Sequence, residues 1–141
     1  MEHVEFVYTV GMTEAEVEAA LRESEAGVLS LARDGSAYAV PVSHHYERGV
    51  VQFRLADDDD SEKLVAADAT ETASFVCYGV DGDESWSVVA SGPLRRTGDV
   101  DAQTSNERFG PLRIFDEAIE DVELVAYEMD VERVAGRRTP A

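Results

Sequence analysis

The sequence predicts a mainly β protein, a small antiparallel barrel with short helices, on three observations. Six segments of strand character follow one another, at about Gly27–Arg33, Ser36–Tyr46, Val50–Ala56, Ala73–Val80, Trp86–Arg96 and Val122–Val134. The first three are joined by the turn signals Asp34-Gly35 and Glu47-Arg48-Gly49. These leave no room for crossover helices and argue against a parallel α/β sheet. Helical patterns are confined to the start, the middle and the late part of the chain.

Each element follows from local chemistry. Thr13-Glu14-Ala15-Glu16 is a capping box, in which the threonine hydroxyl and the second glutamate satisfy orphan amides of a helix start. Val17, Ala20, Leu21 and Ser24 then recur at helical spacing, with Glu14, Glu18 and Glu25 on the other side. A helix is expected over about 13–25. In the second strand Tyr38, Val40 and Val42 alternate with Ala37, Ala39 and Pro41. Four aspartates, Asp57 to Asp60, precede Ser61, which can cap a helix over about 61–68 with Leu64 and Val65 facing inward. Gly92-Pro93 interrupts the fifth strand and signals an edge or a bulge. Val100 to Phe109 reads as a weak helix ended by Gly110-Pro111, and Ile114 to Ile119 as a short helical piece. Val125, Tyr127, Met129 and Val131 alternate along the last strand. Arg137 to Ala141 is expected to fray.

Composition bounds the function. The 141 residues, 44% of them apolar, suit one packed domain over 1–141. No run approaches the roughly 18 apolar residues that span a bilayer. The N-terminus lacks the pattern of a secretory signal, and a single cysteine excludes an internal disulfide; a cytoplasmic protein is expected. Acidic residues outnumber basic ones by 30 to 12, for a net charge of -18. Such a surface repels phosphate backbones and disfavours nucleic acid as a partner. Acid spread along the whole chain, with a single lysine, points to a halophilic cytoplasm where salt screens self-repulsion.

That lysine, Lys63, stands just behind the expected helix start with Ser61. Amide donors, a hydroxyl and an ammonium suit an anion such as a phosphate. The plainer reading is a capped surface helix with a solvated lysine, and the neighbouring aspartates oppose an anion. His44 and His45 are adjacent on a strand and point to opposite faces, so they do not chelate one ion together, and no metal site is expected. Cys77, in an apolar strand, reads as a buried, inert thiol. Trp86 reads as core packing or as a flat wall for a ring system. No Gly-x-Ser-x-Gly or dinucleotide glycine fingerprint occurs.

Taken in order, several of these pieces resemble one family. They are Gly27-Val28-Leu29-Ser30-Leu31, Asp34-Gly35, Tyr38-x-x-Pro41-Val42, Gly49-Val50-Val51-x-Phe53, Ser61-x-Lys63 and Trp86-Ser87-Val88-Val89-x-x-Gly92. The series is similar to the pyridoxamine 5'-phosphate oxidase-like, FMN-binding split-barrel family, in its branch of nitroimidazole-resistance proteins, over about 13–136. The resemblance implies a six-stranded antiparallel split β-barrel that forms a homodimer with FMN at the interface. It implies Pro41, Val42 and Ser43 beside the flavin ring. The segment with Phe53, Arg54, Leu55, Ser61 and Lys63 would hold the phosphate, and Trp86 of the partner strand would cover the cofactor.

The chain departs from that pattern at Asp57 to Glu62, where Glu62 replaces an arginine partner of the lysine and Arg54 is the nearest substitute. The C-terminal arginine and histidine motif that takes pyridoxamine phosphate is not evident between Glu123 and Arg138. The function expected is therefore that of an FMN-dependent oxidoreductase acting on another small molecule, with NAD(P)H as a possible electron donor. The alternatives are a non-catalytic flavin, deazaflavin or haem binder of the same fold, and an interaction module without cofactor.

Overall fold

The computed structural model describes residues 6–57, 62–99, 109 and 123–140. Its elements run β1 (Val10–Gly11), α1 (Glu14–Glu23), β2 (Ala26–Arg33), β3 (Ser36–Glu47), β4 (Val50–Asp57), α2 (Glu62–Ala69), β5 (Thr72–Asp81), β6 (Glu84–Asp99), β7 (Glu123–Asp130) and β8 (Arg133–Arg138). All strand pairs are antiparallel. The sheet runs β1-β8-β6-β5-β2-β3-β4-β7, and β7 also pairs with β6. That last pairing closes a ring of six strands, and β8 and β1 extend from it. The antiparallel split barrel read from the sequence is the fold observed.

The split lies in β6, a strand of 16 residues that changes partner midway. Trp86 to Ser91 pair with β8, whereas Leu94 to Asp99 pair with β7. At the change, the Glu132 amide donates to the Ser91 carbonyl at 2.9 Å. A Cβ on Gly92 would lie 1.8 Å from the Asp130 carbonyl oxygen, so only glycine fits under the β7–β8 turn. Pro93, which has no N–H to donate, falls at the same place.

Alternation puts Leu29, Leu31, Val51, Phe53, Leu55, Phe75, Val88, Tyr127 and Met129 inside the barrel, all nearly or fully buried. Phe53 and Phe75 meet in a tilted contact with centroids 5.1 Å apart. The capping box forms as the sequence indicates: the Glu16 amide donates to Thr13 Oγ1, and the Thr13 amide donates to Glu16 Oε1. Helix α1 then buries Val17 and Leu21 against the barrel. Helix α2 buries Leu64, Ala66 and Ala67. Tyr127 Oη donates to Asp68 Oδ1 at 2.8 Å, and the Ala32 amide donates to Thr70 Oγ1 just beyond the helix end.

Three expectations are corrected. The last strand is not continuous from Val122 to Val134: it bends at Val131-Glu132 into β7 and β8, which follow one another along β6 while the opposite edge changes partner from β4 to β1. Arg137 and Arg138 do not fray, since both lie in β8 and pair with β1 and with β6. Val65 faces outward at 46% exposure, one step round the helix from Leu64. The expected helices at 100–109 and 114–119 and the cap at Ser61 fall outside the described residues, apart from the helical, buried Phe109.

Candidate functional site

The pleat sorts the residues of the site before any chemistry is considered. In β3, Val42, His44 and Tyr46 point inward and are buried, while Pro41 and Ser43 lie on the outer face. In β4, Phe53 and Leu55 belong to the core at 0% and 2% exposure, and Arg54 faces out. The side chains of Val42, Phe53 and Leu55 are therefore packing groups. Of the six candidate site residues on these strands, only Pro41, Ser43 and Arg54 present side chains to the outer face.

Ser43 and Arg54 are direct partners in the β3–β4 ladder. Arg54 Nη2 donates to Ser43 Oγ at 3.1 Å. Although it points away from the barrel interior, Arg54 is only 6% exposed, and its guanidinium carbon lies 5.5 Å from the centre of the Phe109 ring. A buried guanidinium is costly unless its donors are used, and it keeps its charge at any physiological pH. Lys63 stands in the first turn of α2, half-buried. Ser61 lies outside the described residues. The Arg54 guanidinium and the Ser43 hydroxyl stand together on the outer face; toward a phosphate an arginine offers a planar fork and a lysine a point charge.

Trp86 lies elsewhere. It sits on β6, which is separated from β3 by β5 and β2, and its register partners are Gly79 and Arg138. A Cβ on Gly79 would fall 2.3 Å from the indole nitrogen, so the ring lies across a glycine. One side of Trp86 packs on the core, and an open cleft of about 630 Å³ shared with Glu16, Arg138 and Thr139 lies on the other. Within one chain, then, the structure brings Ser43 and Arg54 together and leaves Trp86 apart.

The two histidines separate as alternation requires. His44 is 3% exposed and stacks at a tilt on Phe75, with ring centroids 4.7 Å apart. Burial holds its pKa below the usual imidazole value. His45 lies on the outer face within 3.6 Å of Glu47. Cys77 is buried in the barrel, and burial pushes its thiol pKa up, away from nucleophilic use. Among the described residues, no three His, Cys, Asp or Glu side chains gather as a metal site would need. No described helix is long and apolar enough to cross a membrane.

Phe109 was not foreseen at the site. It is 55 positions from Arg54, and no local pattern links a residue in a weak helical stretch to a strand arginine.

Comparison with known proteins agrees with the fold. A family model described as pyridoxamine 5'-phosphate oxidase matches residues 13–138. No curated protein matches the sequence. Among solved structures, an FAD-binding protein from Mesorhizobium loti is similar with a TM-score of 0.72 at 19% identity, covering 94% of this chain and 99% of that one. The FAD-binding protein from Mycobacterium smegmatis aligns at 0.63 and 18% identity, over 94% of this chain and 100% of the other. A proposed 5-nitroimidazole antibiotic resistance protein from Bacteroides thetaiotaomicron aligns at 0.63 and 13% identity, over 98% and 95%. At such identities the likeness is one of fold.

Proposed function

This chain belongs to the pyridoxamine 5'-phosphate oxidase family, and from that premise we propose that it binds a flavin, FMN, and works as an FMN-dependent oxidoreductase. The observation that carries the reading is Arg54: a nearly buried cation on the outer barrel face, hydrogen-bonded to Ser43. A guanidinium fork and a hydroxyl side by side on the outer face suit an anion such as a phosphate. In this reading Arg54 and Lys63 hold the cofactor phosphate, and Pro41 and Ser43 border the ring. Val42, Phe53 and Leu55 supply the rigid floor behind them. Bound FMN would supply the two-electron chemistry, while the protein binds it, orients it and excludes water.

A second copy of the chain completes the site in this reading. In direct register across the outer face run Pro41, Val28, Val76, Val89 and Ala135, an apolar band over five strands. Beside it Tyr78 and Val80 are 64% and 71% exposed. Large exposed apolar patches mark interaction surfaces, and a homodimer through this face would bring the partner's β6 towards the flavin, with Val89 facing it and Trp86 on the opposite side of the strand with Val88. The acidic composition supports reading it as a protein of a high-salt cytoplasm, and NAD(P)H is the electron donor to try first.

The test is the absorption spectrum of the pure protein in high salt, before and after anaerobic NAD(P)H. Flavin bands that bleach are the expected result. Flavin bands that no donor bleaches would make it a carrier or sensor, and a Soret band would make it a haem protein. A colourless protein whose melting temperature ignores added FMN would overturn the reading.

A further inference from the structure

We infer that Ser43 is a positioning residue whose hydroxyl sets where the Arg54 charge sits, and so sets the preference of the site for a phosphorylated flavin over an unphosphorylated one. The inference rests on the flavin reading above. Directly opposed residues of an antiparallel pair have Cβ atoms about 4.5–5.5 Å apart. A fully extended arginine would carry its fork well past a serine in that position. Because Arg54 Nη2 reaches Ser43 Oγ at 3.1 Å, the side chain folds down across the β3–β4 ladder. The hydroxyl oxygen accepts the bond, since a guanidinium can only donate. Phe109 limits the guanidinium from a second element, at 5.5 Å. The fork is thereby oriented before any ligand arrives, and a prearranged charge loses less freedom on binding than a mobile one.

An oriented guanidinium acts on a phosphate and does little for a neutral ribityl chain, so the readout is a ratio. Affinities for FMN and for riboflavin are measured by fluorescence quenching, in matched salt, for the native chain, Ser43→Ala, Ser43→Cys, Ser43→Thr and Arg54→Gln. Thermal melts are recorded in parallel. Ser43→Ala is expected to weaken FMN about five-fold more than it weakens riboflavin, the scale of one hydrogen bond. Ser43→Thr, which keeps the hydroxyl, is expected to restore the native ratio. Ser43→Cys keeps the volume with a much weaker acceptor, is expected to behave like the alanine variant, and serves if alanine fails to fold.

If Arg54→Gln weakens FMN while both Ser43→Ala and Ser43→Cys leave it unchanged, the guanidinium is held by other contacts. The inference then falls and the flavin reading stands. Equal losses for FMN and riboflavin in the serine variants would also overturn it, because Ser43 would then act on the ring or the fold. An Arg54→Gln variant with native FMN affinity removes Arg54 from the phosphate site, and the inference goes with it.

Discussion

The imidazole of His44 ties the barrel to α1: its Nε2 lies 3.0 Å from the Leu21 carbonyl oxygen and 3.2 Å from Ser24 Oγ. A carbonyl only accepts, so the proton is on Nε2 and the ring is neutral in that tautomer. The carbonyl belongs to the last turn of the helix, where acceptors lack partners within the helix. Nδ1 is buried with no hydrogen-bond partner in this arrangement. Protonation there would create a buried N–H with nothing to receive it.

This gives a pH dependence of definite sign. Burial lowers the folded pKa of His44 below 6.5, against the bond to Leu21, which raises it. The unfolded chain therefore takes up a proton first as pH falls. The contribution is fully present above about pH 6.5 and is lost as pH drops from there towards the folded pKa. Over that window the native chain should lose up to about 1.4 kcal/mol per pH unit more than His44→Gln, in denaturant titrations at constant high salt. Parallel curves for the two proteins would rule out the histidine as the source.

Gly92 offers a second test, at the split itself. Any side chain there meets the Asp130 carbonyl, which is backbone and carries the turn into β8. Gly92→Ala should cost about 3 kcal/mol of stability, the upper end for overpacking. The loss should appear as a lower denaturant midpoint. A change below about 0.5 kcal/mol would show that the β7–β8 turn shifts freely.

How far the sequence revealed this depends on the range of the cause. The capping box at Thr13 and Glu16, the turns at Asp34-Gly35 and Glu47-Arg48-Gly49, and the alternation in β3 are local, and the structure has them as read. Alternation even assigns His44 to the inside with Val42 and Tyr46. The bend at Val131-Glu132 is not visible in the sequence, because Val131 continues the apolar period while the strand's outer neighbour changes from β4 to β1, both distant in the chain. The tail was misread for the same reason: Arg137 looks solvated, yet it donates to Thr9 at the other end of the chain. At the site, the types of Ser43 and Arg54 were legible. Their pairing required the register, and the burial of Arg54 under Phe109 required the tertiary fold.

Cys77 gives a third prediction. It is 1% exposed, in the barrel interior, and burial raises its pKa. Reaction with a thiol reagent at pH 8 should wait on global unfolding, since the thiolate is the reactive form. The labelling rate in native conditions should follow unfolding stability across mild denaturant. Stoichiometric labelling within seconds of mixing would show that β5 opens locally.

Lys63 carries the last prediction. Its ammonium is the single lysine charge in a chain of net charge -18, placed where α2 begins. If it holds the phosphate, Lys63→Ala should weaken FMN by about 1.5–3 kcal/mol, the scale of a charge-assisted hydrogen bond. Lys63→Arg should recover only part of that, because a fork does not reproduce a point charge. Riboflavin affinity should change little. Salt separates this from a general field effect: a contact within the site persists at high ionic strength, whereas long-range attraction is screened beyond about 3 Å at 1 M salt. Native FMN affinity for Lys63→Ala in high salt would remove the lysine from the site and leave Arg54 as the phosphate ligand to test.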